Sequence, residues 1–300
     1  MVSAMKDTVF IHTNHRQMIG ALVSKYSIER RTRHADAFDV RIISIEDYPF
    51  FAAKEGEAYL RGGTQRVWLN DDLQSFTPLR FGPPGLMNYQ GRAIVIDPDV
   101  FANADIYELL SRDMEGKVLM CRGRDGHKKL SSAVMLMDCA KLTHWKLDEQ
   151  FNEMFKGKRD YMDWISLKLE DPESIGLFEP EWNDFDKLSE RTKLLHNTKR
   201  WHQPWKTGLP VDFTPAGKSG ALNPVAWYRR AREALFGRYG MLGTYKPHWD
   251  PNQEQFFFGL LRECIEKGVV TEAMLRQEMQ RNHIRHDAFE VLERTPPLAA

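Results

Sequence analysis

Thr8-Val9-Phe10-Ile11-His12-Thr13-Asn14 reads as a short apolar strand running into a turn, and the residues after it read as a helix. Met18, Ile19, Leu22, Val23 and Tyr26 recur at three- and four-residue steps, the period of one buried helical face. Asn14, with Gln17 three residues on, fits an N-cap with its reciprocal partner. A second strand, β-branched and bounded by charge, follows at Phe38–Ile45. A β-α-β opening of this kind begins an α/β domain with parallel strand pairing. Its first strand–helix turn is where such folds aim helix N–H groups at a nucleotide, which makes Thr13 and Asn14 candidate contacts.

Further along, Ala93-Ile94-Val95-Ile96 is a buried-strand run that stops at Asp97-Pro98-Asp99. Side chains at i and i+2 of an extended segment share a side, so both carboxylates can face one point. Pro98 has no N–H for a ladder, so the strand ends there. Carboxylates at the carboxyl end of a buried strand sit where open α/β sheets bind ligands. Hard oxygen donors suit Mg²⁺ or Mn²⁺. The bland alternative is a turn bearing two solvated acids. Asn103–Leu110 starts a helix with Asp105 and Glu108 spaced for a capping box, and Val118–Arg122 and Ala133–Met137 read as strands. Tyr48–Phe81 is irregular and polar, and reads as loops with short elements.

Three other charged features carry less. A second Asp-x-Asp, Asp184-Phe185-Asp186, follows no apolar strand and reads as capping and surface charge. His12 and His15 have no ligand at metal spacing and are at most the edge of a pocket. Glu29–His34 reads as the solvated end of the first helix. Denser is Leu194–Gly208, which packs two His, two Lys, one Arg and two Trp into a Pro- and Gly-punctuated stretch. Cations, backbone N–H groups and flat rings together suit a diphosphate and a sugar or base. The alternative is a loop whose tryptophans pack on the body.

After Pro210 the character changes. Gly217–Gly220 and Pro224 suggest a linker, and Val225–Leu235, Gln253–Lys267 and Thr271–Asn282 have helical spacing. Residues 1–215 are therefore expected to form the α/β domain and 216–300 a helical C-terminal appendage.

The 300 residues are 42% hydrophobic and 28% charged, ordinary globular stock that excludes a disordered or collagen-like chain. Lys+Arg and Asp+Glu both number 42, so no global basic field exists to hold nucleic acid or an anionic membrane. Cys121, Cys139 and Cys264 are odd in number and far apart, which argues against a disulfide framework or a zinc ribbon. The N-terminus lacks the unbroken apolar core of a signal peptide. The apolar block Phe256–Leu261 is far short of the roughly 20 residues needed to span a bilayer. The expectation is a soluble, cytoplasmic protein without a transmembrane segment.

In order, these pieces resemble the pattern of glycosyltransferase family 8, which includes glycogenin and bacterial lipopolysaccharide galactosyltransferases. The resemblance covers about residues 7–210. It implies a GT-A-type nucleotide-sugar-binding domain with a mixed, mostly parallel central sheet. It also implies retention of configuration at the transferred sugar carbon. Arg80, 17 residues before Asp97, stands where the family places a donor-contacting Arg. Ser131-Ser132-Ala133-Val134-Met135-Leu136-Met137 is similar to the strand that lines the sugar pocket, with Ser132 as its donor contact. Asp163-Trp164 and Trp182-Asn183 resemble the family's Asp-Gln and Trp-Asn pairs. His196 and Gln203-Pro204-Trp205 resemble its metal-binding His and Lys-Pro-Trp.

The departures are specific. Gln203 replaces the family's Lys, so a diphosphate must take its positive charge elsewhere, with Lys199, Arg200 and Lys206 as candidates. The usual Asn of the sugar strand is Ser, and Trp164 replaces Gln. The resemblance implies that Asp97, Asp99 and His196 hold one Mn²⁺ or Mg²⁺ bridging the phosphates of a nucleotide-sugar, UDP-linked. Asp163 would attack as nucleophile in a hexosyltransferase reaction, or the acceptor would enter on the leaving-group face, or Asp163 would only hydrogen-bond sugar or acceptor. The acceptor, a glycan or small molecule, is not legible, and the helical tail is a candidate for acceptor recognition or a homo-oligomer interface. Two rivals stand beside this reading. One is a haloacid-dehalogenase-type phosphatase, whose later acidic pair is missing because Asp71-Asp72 lies upstream. The other is a non-catalytic nucleotide-sugar-binding protein.

Overall fold

The structure, a computed structural model, describes residues 6–124, 129–213, 235 and 239–299. The expected linker at Gly217–Gly220 and Pro224, and the expected helix at Val225–Leu235 apart from Leu235, lie outside the described residues. The chain divides into two compact units, Met1–Thr198 with Glu263–Val270, and Lys199–Arg262 with Thr271–Ala300.

The first unit is α/β, as its opening predicts. Its strands are β1 (Asp7–Thr13), β2 (Phe38–Ser44), β3 (Ala58–Arg61), β4 (Thr64–Val67), β5 (Arg92–Ile96), β6 (Val100–Ala102), β7 (Leu119–Arg124), β8 (Lys129–Asp138), β9 (Ile175–Leu177), β10 (Asp184–Phe185) and β11 (Leu194–His196). Six of these form a mixed sheet in the order β2-β1-β5-β8-β7-β9. β1 is parallel to β2 and β5, and β7 to β9, while β8 runs antiparallel to both its neighbours. Val9–Ile11, Ala93–Ile96 and Val134–Met137 are fully buried, because both faces of the central strands are covered. Burying each large side chain among them contributes about 1.5–3 kcal/mol relative to exposure.

Helix α1 (Met18–Arg31) packs against β1 and β2 and braces β6, the strand that follows the Asp97–Asp99 turn. Ser24 donates to the Val100 carbonyl at 2.6 Å, and Ser27 accepts from the Ala102 amide at 2.8 Å. Gly20 lies so close to the Asp97–Asp99 turn that a Cβ there would meet the Pro98 carbonyl oxygen at 2.7 Å. The helix entry differs from the expected reciprocal cap. Asn14 accepts from the Arg16 amide at 3.1 Å and caps a 3-10 turn, His15–Gln17, while Gln17 makes no capping bond. The Asn14 amide instead donates to the Asp72 carbonyl and Ser75 hydroxyl, tying the irregular segment to the turn.

Three other expectations need correction. Asp105 accepts from the Tyr107 amide at 3.0 Å at the start of the short helix Tyr107–Leu110, but Glu108 pairs with Lys193 rather than completing a capping box. Within Glu29–His34, Arg30 is largely buried against Glu263 at 2.7 Å and His34 stacks on Tyr107 at 4.3 Å, so the run is not simply solvated. Asp184 and Asp186 are buried, not surface charge; they accept from the hydroxyls of Thr192 and Thr198 and so brace the strand that follows.

In the second unit the expected helices appear as Pro251–Glu266 (shared with the first unit), Glu272–Gln280 and Ala288–Arg294. All three cysteines are free and buried. No helix among the described residues is long and apolar enough to cross a membrane.

Candidate metal centre

A second, three-stranded sheet builds the site. β6 starts directly after Asp99, and β11 runs antiparallel to it with His196 opposite Val100. The Asn197 amide donates to the Asp99 carbonyl at 3.1 Å, closing the corner. β10 flanks β11 in parallel and sets the Phe185 ring edge-on against His196, with centroids 5.6 Å apart. Two residues about a hundred positions apart are thereby held side by side by backbone pairing.

The result is a compact donor set. One ligand atom each from Asp97, Asp99 and His196 lies within 4.8 Å of the others. His196 Nε2 is 3.3 Å from Asp99 Oδ1 and 3.9 Å from Asp97 Oδ2. Its other nitrogen, Nδ1, lies 2.8 Å from Asn183 Oδ1, and the Asn183 amide donates to Ser131 Oγ at 3.3 Å. With the Nδ1 proton given to Asn183, the Nε2 lone pair faces the carboxylates, the arrangement typical of a metal-binding histidine. Burial works to lower the His196 pKa, but the neighbouring Asp99 and Asp97 charges outweigh it and raise it. Two carboxylate oxygens suit Mg²⁺ or Mn²⁺, and the imidazole nitrogen moves the preference from Mg²⁺ toward Mn²⁺ or a later transition ion. The residues fit the cation expected of them.

Asp97 is nearly enclosed. Burial works to raise its pKa, yet the Arg80 guanidinium and the His12 hydrogen bond hold it well below the usual carboxylate range. Arg80 Nε donates to Asp97 Oδ1 at 2.9 Å, Nη2 reaches Oδ2, and Nη1 donates to Ser132 Oγ at 2.9 Å. The expected donor contacts Arg80 and Ser132 thus brace the metal ligand from behind. Ser132 also donates to the carbonyl of Ile165, at the end of the helix Tyr161–Ile165 that carries Asp163. Asp163 itself is half-buried and accepts from Lys168 Nζ at 2.8 Å.

Thr13 and Asn14 are fully buried at the end of β1, with Asn14 engaged as above. Beside them, His15 and Arg16 bind Asp71, while Asp72 caps Gln74. The upstream acidic pair is therefore engaged with the first strand–helix turn and with its own loop. Lys199, Arg200, Gln203 and Lys206 all belong to the second unit. There Lys199 is exposed, Arg200 half-buried and Gln203 buried. Lys206 is the departure from expectation: its ammonium is fully buried and paired with Asp212 at 3.0 Å, so its charge is committed to the interior. Trp205 is buried too, stacked on Phe257, the packing role left open for the tryptophans.

Two participants go beyond the expected site. His12, expected at most at a pocket edge, is fully buried with Nε2 2.9 Å from Asp97 Oδ1. Asn183 was visible in the Trp182-Asn183 pair, but its role as the partner of His196 was not.

No family model matches the chain, and no curated protein matches it. Among solved structures, the glycosyltransferase GlyE of Streptococcus pneumoniae is similar at 12% identity and a TM-score of 0.48. That match covers 88% of this chain and 64% of GlyE. The galactosyltransferase LgtC, solved with donor and acceptor sugar analogues, is similar at 15% identity and a TM-score of 0.45, over 65% of this chain and 90% of LgtC. Mouse xyloside xylosyltransferase 1 is similar at 13% identity and a TM-score of 0.42, over 64% of this chain and 98% of that one.

Proposed function

We propose that the chain is a divalent-metal-dependent, retaining glycosyltransferase of GT-A type that uses a nucleotide-sugar, UDP-linked. The observation that carries the reading is the convergence of Asp97, Asp99 and His196 Nε2 at the carboxyl end of a central strand. That is where α/β sheets take ligands, and an oxygen-rich donor set there suits a cation shared with substrate phosphates.

In this reading Asp97, Asp99 and His196 hold Mn²⁺ or Mg²⁺. When bound, the cation supplies positive charge against the growing charge of the nucleoside-diphosphate leaving group. Arg80 and Ser132 keep Asp97 ionised and oriented. Lys199 and Arg200 are the remaining basic candidates for the diphosphate. Asp163 is the candidate nucleophile for retention. Its partner Lys168 is exposed, and a pair so open to solvent and salt exchanges readily.

The test is calorimetric titration of UDP in the presence of MnCl₂ into the unsubstituted chain, Asp97→Asn and Asp99→Asn, with unfolding temperature as the control for folding. Metal-dependent UDP binding is expected to be lost in both variants while each remains folded. Unchanged binding in both would refute the metal assignment. A screen of UDP-sugars with Mn²⁺ then separates an enzyme, which releases UDP, from a non-catalytic binder, which does not.

A further inference from the structure

We propose that His12 is a positioning residue for the cation site, fixing the Asp97 carboxylate so that Oδ2 faces Asp99 and His196. The inference rests on the cation reading above and concerns a residue that the resemblance leaves out.

His12 sits near the end of β1, one residue beyond the Ile11↔Ile96 pair that aligns β1 with β5. It is therefore level with Asp97, the residue after Ile96. Its neighbours Val9, Phe10 and Ile11 are fully buried, as is His12 itself. A doubly covered parallel strand ordinarily continues in Val, Ile or Leu at such a position. Placing an imidazole there has a visible cost, because His12 Nδ1 is buried without a hydrogen-bond partner among the described residues. A local rule broken in this way points to function rather than packing.

What the imidazole does is specific. His12 Nε2 is 2.9 Å from Asp97 Oδ1, and Phe76 fixes the ring, with centroids 5.1 Å apart. Arg80 Nε shares the same oxygen at 2.9 Å. With Oδ1 engaged twice, the carboxylate cannot rotate to offer it to a cation. Oδ2 accepts one bond, from Arg80 Nη2, and with its other lone pair is the oxygen presented to the donor set, 3.9 Å from His196 Nε2. Arg80 grips both oxygens with one bond each; His12 fills the second acceptor site of Oδ1, so Oδ2 is the oxygen left with a lone pair for a cation.

The test compares His12→Gln, His12→Asn and His12→Leu by calorimetry with MnCl₂ alone and by unfolding temperature of the metal-free protein. Glutamine can place an amide donor near the Nε2 position, asparagine only near Nδ1, and leucine offers no donor. Mn²⁺ affinity is expected to fall about tenfold or more in His12→Asn and His12→Leu, in the range seen on removing partners of metal ligands. His12→Gln should stay within about threefold of the unsubstituted chain, in the range of a weakened hydrogen bond. Equal weakening in all three, tracking their unfolding temperatures, or no weakening in any, overturns the positioning role. If His12→Leu fails to fold, the Gln–Asn contrast decides alone. Absence of Mn²⁺ binding by the unsubstituted chain, both alone and with UDP present, removes the cation reading itself; normal binding with unweakened His12→Asn removes only the role of His12.

Discussion

Replacing Asn183 by Ala tests whether the His196 imidazole is aimed by its neighbour. The Asn183 carbonyl oxygen lies 2.8 Å from His196 Nδ1, and its amide is anchored on Ser131 at 3.3 Å, which sets which end faces the ring. Both residues are buried, Asn183 completely. Alanine removes a hydrogen bond worth about 1 kcal/mol and orphans a buried N–H at about 1–3 kcal/mol. The ring can recover that loss only by turning or taking the other tautomer, and either takes the Nε2 lone pair away from the carboxylates. Mn²⁺ affinity is then expected to fall by about 10–100-fold, equivalent to about 1.4–2.7 kcal/mol, which agrees with the hydrogen-bond accounting. Asn183→Asp keeps the acceptor in place and should bind Mn²⁺ at least as tightly as the unsubstituted chain. Calorimetry with MnCl₂ gives the affinities, and urea unfolding of the metal-free proteins gives the structural cost. A folded Asn183→Ala protein that binds Mn²⁺ normally would refute the argument.

Gly20→Ala places a Cβ 2.7 Å from the Pro98 carbonyl, a backbone atom that can yield only by moving the turn. It should destabilise the chain by about 1–3 kcal/mol in urea unfolding and weaken Mn²⁺ binding as well. Loss of stability without loss of affinity would show that α1 does not hold the turn in place. Lys206→Met breaks a pair whose ammonium is fully buried, and should cost about 3–5 kcal/mol of stability. A stable variant with weakened UDP binding would instead return Lys206 to the donor site. Glu46 gives the pH prediction. Partial burial works to raise its pKa, but hydrogen bonds from His15 and Ser44 bring it down from 4.5 to about 2. A carboxyl lowered on folding stabilises above its unfolded value, and that gain is lost as pH falls from about 4.5 toward 2. With the side chain 44% exposed, solvent screening reduces the contribution to about 1 kcal/mol. Glu46→Gln should flatten the fall in unfolding temperature between pH 5 and pH 2.5, and an unchanged acid limb would contradict it.

What the sequence made legible was local. The opening β-α-β unit showed through because its strand and helix periods are long enough to read, and Asp97-Pro98-Asp99 because an apolar run ends at a residue that cannot donate. The sheet β10-β11-β6 has strands of two and three residues, too short for any period. In sequence Asp184 and Asp186 therefore look like surface charge, since their threonine partners become neighbours only once β10 and β11 pair. As a metal ligand His196 is legible only through the resemblance; nothing in its spacing from Asp97 encodes the β11–β6 register that joins them. His12 was discounted because a single polar residue in an apolar run does not disclose its partner on the next strand. Lys206 was misjudged for the converse reason, as a basic residue in a polar stretch gives no sign that an aspartate six positions on will enclose it.

In the proposed reading, the geometry also makes cation and nucleotide depend on one another. Asp97, Asp99 and His196 offer three donor atoms, whereas Mg²⁺ or Mn²⁺ takes about six. About three positions are thus left to water or to phosphate oxygens. The clamp on Asp97 makes that shortfall firm, because Oδ1 is engaged by His12 and Arg80 and Asp97 can add only one oxygen. A diphosphate would supply the missing oxygens as one chelating group, so it should bind more tightly with the cation in place than without it. By linkage the cation must then bind more tightly, by the same factor, once the diphosphate is present. The same clamp that orients Asp97 therefore limits the affinity of the cation alone and reserves the rest for the complex with substrate.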